Sequence, residues 1–380
     1  MRNLTRLARP VFRLLGRDDR GATLVIVAIL IAGGVLLGMG ALVIDVGHLY
    51  QNHAELQNGA DAGALAVAKS CISGTCNTAL GSSGVAQPEA TANASALTGG
   101  NAGVDQILIC LSGQSCTPPS GCPGSPAGGQ GYVDVRTSTR LANGSTLLPP
   151  VFARALLGNS GYPGTNVKAC AQAEWGPALV SNSLGMTISI CDWQALSGNG
   201  SPYGTLIPVY IKGKDKNCAG PGGSNMPGGF DWLQPTSGTC TTNIDLTTDT
   251  AYNNTGNNVA QLCKQVLYDD ITSYLNNNPV TVFLPLFDCV SAVQNCPGYK
   301  TTGSNAIYHI AGLAGFVPTG YSDLSGPPGS DKLPKAYGNN SLCAVNAPCI
   351  EGYFKPGIDP VSDIIGGGTS FGATVVKLSG

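Results

Sequence analysis

Between Ala22 and Ile44 the chain runs ATLVIVAILIAGGVLLGMGALVI, 23 residues without a charge. At about 1.5 Å of rise per residue, a helix of this length reaches roughly 34 Å, enough for the hydrocarbon core of a bilayer. The run exceeds the roughly 7–15 apolar residues of a signal peptide. Asp45 ends it, and no small-x-small cleavage pattern follows. The pattern therefore predicts a retained transmembrane helix over 21–44. Beyond it, apolar or small residues recur in steps of three and four at Val46, Leu49, Tyr50, His53, Leu56, Ala60, Gly63, Ala64 and Val67. That is one packing stripe of a second helix. No proline separates the two stretches, so they predict one long helix, half in the bilayer and half outside. The stripe is built of small residues, which lets a sheet or another backbone come close.

Further along, the periodicity shortens. Gln106 to Leu111, GYVDVRTSTR (131–140) and NVKACAQAEW (166–175) read as strands, and PPVFARALLG (149–158) as a short helix with proline at its start. From about residue 180, strands dominate: MTISICDW (186–193), TLIPVYIK (205–212), VTVFLPLFD (280–288), YHIAGLAGFV (308–317) and FGATVVKL (371–378). One helix interrupts them over 259–275, with Val259, Leu262, Cys263, Val266, Leu267, Ile271, Tyr274 and Leu275 as its stripe. The expected class is α+β. A transmembrane helix continues into a long extracytoplasmic helix packed on a small sheet, and a β-rich disulfide-bonded domain follows. The expected boundaries are a basic tail 1–20, the membrane helix 21–44, an α+β domain 45–178 and a β-rich domain 179–380.

Composition agrees with a loop-rich body: 11% of residues are charged, and there are 53 glycines and 25 prolines. The formal net charge of −2 gives no basic field for a nucleic acid. Charge distribution is more informative. Six arginines (Arg2, Arg6, Arg9, Arg13, Arg17, Arg20) precede the apolar run against Asp18 and Asp19. By the positive-inside rule the N-terminus is cytoplasmic and the body extracytoplasmic, with one span of the cell membrane. Inside the run, Gly34 and Gly38 form a GxxxG pair, a pattern of close helix–helix packing with itself or a partner, and also a common feature of membrane helices. Asp45 at the membrane exit either ends the apolar run or sets register against a partner helix. Asp61, in a run of alanine and glycine, reads either as a solvent-facing helix position or, with Asp45, Leu49, Tyr50, Leu56, Gln57 and Asn58, as part of an assembly face of the helix.

All fourteen cysteines lie after residue 70: Cys71, Cys76, Cys110, Cys116, Cys122, Cys170, Cys191, Cys218, Cys240, Cys263, Cys289, Cys296, Cys343 and Cys349. An even number confined to the exported side points to a disulfide framework. Short-loop candidates are Cys71–Cys76, Cys116–Cys122, Cys289–Cys296 and Cys343–Cys349. No C-x-x-C occurs, and His48 and His53 are five residues apart, off a shared helix face. No metal or other cofactor is expected.

Residues 20–70 resemble the N-terminal region of TadG-like Flp (tight-adherence) pilus assembly proteins. The pattern is Arg-Gly, an apolar run, Asp-Val-Gly-x-Leu-Tyr, then Leu-Gln-Asn-x-Ala-Asp-Ala-x-Ala-Leu-Ala. Arg20, Gly21, Asp45, Val46, Gly47, Leu49, Tyr50, Leu56, Gln57, Asn58, Ala60, Asp61, Ala62, Ala64, Leu65 and Ala66 fall on it. Gly59 and Gly63 stand where alanine is more usual, which would loosen the helix. LGMTISICDW, PGGFDWLQPTSGTC, VFLPLFD, YHIAGLAGFVPTGY and FGATVVKL are similar to exported TadG-related proteins of actinobacteria. The resemblance implies an accessory or structural component of a pilus system, without enzymatic activity, whose partners are other Flp/Tad components. Two features depart from the wider family. Ile26 stands where a pilin-type processing site would carry glutamate, and no Asp-x-Ser-x-Ser metal motif is present.

Catalytic patterns do not assemble. Gly368-Thr369-Ser370-Phe371-Gly372 fits the nucleophile elbow, but no histidine follows Ser370. Asp269 and Asp270 are adjacent on a helix and point apart. Lys212, Lys214 and Lys216 read as edge-strand protection, and His309 as a packed core histidine. The alternative to a pilus component is a tethered, adhesin-like protein for a wall glycan or host ligand, with loops such as GGFDWLQPTSG lining its site.

Overall fold

The structure is a computed structural model. It describes residues 19–76, 84–94, 100–126, 131–150, 152, 163–197, 203–211, 218–219, 225–226, 228–236, 238–248, 250–252, 257–290, 307–324, 333–359, 365–366 and 369–379. Most of the basic tail, most of the helix read over 149–158, Lys212, Lys214, Lys216, Cys296 and Gly368 lie outside them.

A single helix, α1, runs unbroken from Asp19 to Ile72. It is long and apolar enough to cross a membrane. Most of its first half is uncovered, with Leu24, Leu30, Leu36 and Leu42 all more than 60% exposed, while Ala41 is 7% exposed. From Leu56 onward it is packed: Leu56, Ala60, Ala64 and Val67 are fully buried. A second helix, α2 (Ala86–Asn93), lies across it. Pro88 sits in the first turn of α2, where a missing N–H costs nothing.

The first sheet takes β1 (Gly100–Cys110), β2 (Gly131–Leu141) and β3 (Lys168–Pro177). Sequence periodicity locates only the second half of β1. A register shift between Val104 and Gln106 breaks the alternation there and hides the first half. One face of this sheet receives α1, through Val133, Val135, Ala171 and Ala173. On the other face, buried Asp134 accepts a hydrogen bond from Gln172 Nε2 (2.8 Å), which also donates to the Gly124 carbonyl (3.2 Å). The loop carrying Gly124 is pinned by Cys122–Cys170.

The second unit contains β4 (Val180–Leu184), β5 (Met186–Ser189), α3 (Ile190–Ser197), β6 (Ile207–Tyr210), β7 (Phe230–Trp232), β8 (Thr241–Asp245) and α4 (Asn257–Leu275). After them come β9 (Val282–Val290), β10 (Ile307–Ser322), β11 (Cys349–Phe354), β12 (Gly357–Ile358) and β13 (Ala373–Leu378). MTISICDW is not one strand. It turns helical at Ile190, because Ser189 Oγ accepts the Cys191 amide (3.2 Å) as an N-cap does.

The second sheet follows the order β7-β5-β9-β10-β11-β6. A parallel bridge between Ile211, next after β6, and Phe230 of β7 joins its two ends. The sheet is thus closed into a ring of six strands. Alternate residues of every strand meet inside: Met186 and Ile188, Val209, Phe230, Leu284 and Leu286, Phe316, Ile350. That closure is a single residue pair, so β6 and β7 meet at one point and are not hydrogen-bonded along their length; two short strands, Thr250–Tyr252 and Tyr337–Gly338, pair with β10 beside the ring. Helix α4 adds Cys263, Leu267 and Ile271 to the same core.

The last strand does not stay with this barrel. β13 pairs antiparallel with β3, giving the first sheet the order β1-β2-β3-β13-β12. Ala373 and Val375 of β13 also share a core with Phe287, Tyr308, Ile310 and Leu313 on the outside of the barrel. The two units are joined by this strand.

Disulfides among the described residues include Cys71–Cys76, Cys110–Cys116, Cys122–Cys170, Cys240–Cys263 and Cys343–Cys349. Cys191 and Cys289 are disulfide-bonded as well. The expected Cys116–Cys122 pair is not formed. The chain doubles back after β1, with Gln114 N donating to the Leu111 carbonyl (3.0 Å), and delivers Cys116 to Cys110. Cys122 is carried onward over β3, where its Cα lies 5.1 Å from that of Cys170. The expected Cys289–Cys296 pair lies outside the described residues.

Candidate functional site

The packed half of α1 is held by main-chain contacts as well as by its small stripe. The Leu56 carbonyl accepts from the buried Thr137 hydroxyl (2.9 Å). Gln57 Nε2 donates to Asp61 Oδ1 (2.8 Å) and to the Cys170 carbonyl on β3 (3.1 Å). Asp61 is therefore half-buried and engaged, not simply turned to solvent. Asn52, which the apolar pattern passes over, is 2% exposed and donates to the His48 carbonyl (2.7 Å).

Gly59 and Gly63 do not loosen the helix. They mark where α2 crosses it. A Cβ at Gly59 would meet the Ala90 carbonyl oxygen at 2.7 Å, and one at Gly63 the Ala86 carbonyl oxygen and Val135 Cγ1, both at 3.3 Å. Ala86, Ala90 and Ala94 on the facing side repeat the same four-residue spacing. This is small-residue helix packing, and Ala86-x-x-x-Ala90-x-x-x-Ala94 was the sequence signal for it.

Nearer the apolar half, the predicted stripe and the packed face diverge. Leu49 is half-buried against the cluster of Leu56 and Leu141. Val46, Tyr50 and His53 are exposed, Tyr50 by 74%, as is Asn58. The covered face runs through 49, 52, 56, 59 and 60, and Tyr50 and His53 lie one residue round from it. Asp45 Oδ1 accepts the Phe152 amide (3.0 Å), so this carboxylate braces the body against the helix. At Gly34 and Gly38 an added Cβ would meet nothing within 4 Å, and the same holds at Gly33, Gly40 and Gly47. That glycine surface has room for added side chains, but it is covered at its base, where Ala41 is 7% exposed.

Three other features needed placing. His309 is half-buried rather than a core residue. A bulge between Phe287 and Cys289 brings Asp288 beside it, and the two side chains hydrogen-bond. Phe371 of the glycine-rich Ser370-Phe371-Gly372 bend packs edge-on against Trp193, 5.0 Å between centroids. Asp269 and Asp270 diverge as expected: Asp269 accepts from Gln265 (2.9 Å), while Asp270 turns inward. Burial, and then the charge of Asp269, push the Asp270 carboxyl up to about 6. Because the folded value is raised, the stabilising state is the protonated one. The associated stability is present below about pH 4 and is lost as pH rises through 6. After allowance for partial exposure, Asp270→Asn is expected to stabilise the protein by about 1–2 kcal/mol at pH 8 and by nothing near pH 4. Thermal melts of both proteins across this range check it, and an equal gain at both pH values contradicts it.

Residues 21–70 match the family model of Flp pilus-assembly TadE/G-like proteins. The chain carries a TadE/G-like domain. No curated protein and no solved structure matches the chain. The Tad match covers α1 from near its start almost to its end, taking in the open glycines, Asp45 and the packed stripe together. It stops short of Cys71, so the sheet and the barrel lie outside it. With the Tad domain comes a pilus-associated role.

Proposed function

We propose that this protein is a membrane-anchored accessory component of a Flp/Tad pilus system, acting by helix packing and surface display rather than by chemistry. The observation that carries the reading is the division of labour along α1. Its matched segment is locked into the body from Leu56 onward, yet presents an open glycine surface over Gly33–Gly40. In this reading the arginine-rich end stays in the cytoplasm, the apolar half spans the membrane, and the body stands outside. The open face receives the helix of another pilus component or of a second copy.

Gly34→Ile/Gly38→Ile in the full chain tests it. At both positions an added Cβ meets none of the described residues within 4 Å, so the protein is expected to accumulate and fold normally. Piliation and surface attachment of cells carrying it should fall as far as in a deletion strain. Normal piliation in the deletion strain would sink the assignment to the pilus system. Normal piliation in the double variant alone would sink the helix-packing mechanism.

A further inference from the structure

The end of α1 leaves a cleft against the barrel unit with a volume of about 840 Å³. Its apolar wall is formed by Leu184 of β4, Val266 of α4, and Val282 and Phe283 of β9. A volume of this size is in the range that encloses a small organic ligand, and a mostly apolar lining with a few polar groups is typical of such sites.

The charged groups are arranged by depth. Asp270 lines the cleft, and its Oδ2 is buried without a hydrogen-bond partner. Asp359 adds a second carboxylate, 2% exposed. Lys69, from the last turns of α1, and Lys355, just before β12, are both exposed and carry their charge at the rim. Charges at the rim are screened by water, whereas those in the wall act through a lower dielectric. The interior is therefore the negative part of the site. The lone Asp270 oxygen is a buried acceptor that the fold leaves unused, and burial disfavours the ionised carboxylate, which an approaching cation would stabilise.

We propose that this cleft binds a small amphipathic amine, with its apolar body against Val266 and Phe283 and its ammonium group at Asp270. The site is independent of the pilus reading. It is built from the end of α1 and the barrel unit, and none of its lining belongs to the apolar half of the helix.

The test uses the full chain in lipid nanodiscs, titrated calorimetrically with 4-phenylbutylammonium, 4-phenylbutanol and 4-phenylbutyrate, with empty nanodiscs as the blank. The ammonium compound is expected to bind about tenfold more tightly than the alcohol, and the butyrate more weakly than either. Asp270→Asn should remove that tenfold preference and leave the alcohol unaffected. Val266→Trp, which fills the wall, should weaken the ammonium and the alcohol alike. Absence of heat with all three compounds overturns the proposal. So does tighter binding of the butyrate, an ammonium preference that survives Asp270→Asn, or affinity unchanged by Val266→Trp.

Discussion

Val375→Asp is expected to unfold the sheet beneath α1 and the barrel in one step, at a cost above about 3 kcal/mol. Val375 is 1% exposed. Its backbone pairs with Gly176 of β3, and its side chain lies in the core that also holds Phe287, Tyr308, Ile310 and Leu313. A carboxylate there has no partner and cannot reach water. Two residues on, Lys377 bridges to Glu174 at 3.0 Å but is 46% exposed, so Lys377→Ala should cost less than about 1 kcal/mol. Thermal melts with limited proteolysis at intermediate temperature separate the outcomes. If Val375→Asp frees the barrel while α1 and its sheet stay resistant, β13 is not the joint between the units.

The second large effect is at Gly59. Leucine is a better helix former than glycine by up to about 1 kcal/mol, and propensity alone makes Gly59→Leu stabilising. The contact with the Ala90 carbonyl oxygen at 2.7 Å reverses the sign. Backbone cannot yield as a flexible side chain can, so α2 must move, at a net cost of about 2–3 kcal/mol. More is lost than packing. Gln87 of α2 accepts from the Val104 amide (2.8 Å) and donates to the Ala102 carbonyl (2.9 Å), sealing part of the open edge of β1. Displacing α2 unseals it, and exposed edges promote aggregation. Hydrogen exchange should quicken at Val104 in Gly59→Leu and stay unchanged in Asn58→Leu, one residue away on the exposed face. Equal exchange in both would remove α2 from this role.

These two positions also show where sequence reading succeeds and where it stops. The uncharged run and the proline-free stripe after it are local signals, and α1 follows them from end to end. Its packed face could be read from Leu56 onward because Ala60, Ala64 and Val67 keep step with the sheet. Gly59 and Gly63 were read as weak points because the stripe of their partner α2 consists only of Ala86, Ala90 and Ala94, which an Ala-rich stretch does not set apart. Tyr50 and His53 share the spacing of the buried residues but sit where the body has not yet closed over the helix. Disulfides were legible where a tight loop leaves each cysteine one near neighbour, at Cys71–Cys76 and Cys343–Cys349. Between Cys110 and Cys122, three cysteines compete, and the turn after β1 decides. Four of the six barrel strands, β5, β6, β9 and β10, were found one by one, but the short β7 and β11 were missed, and the ring could not be read, because the bridge from Ile211 to Phe230 depends on spatial order. Nor does anything in FGATVVKL say that it returns to pair with β3. Of the cleft, only the divergence of Asp269 and Asp270 was foreseen.

The continuity of α1 has a mechanical consequence. Leu56 lies twelve residues beyond Ile44, about 18 Å along the axis. The body packs on the rod there, and one exposed hydrogen bond from the Phe152 amide reaches it at Asp45. A helix that is unbroken between the packed segment and the apolar run has no hinge of its own. On the proposed topology, any lean of the shaft within the lipid becomes a sideways swing of the whole body, and a pull on the body is delivered to the apolar end as torque. The height and bearing of the displayed surface are then set by the angle at which one helix stands.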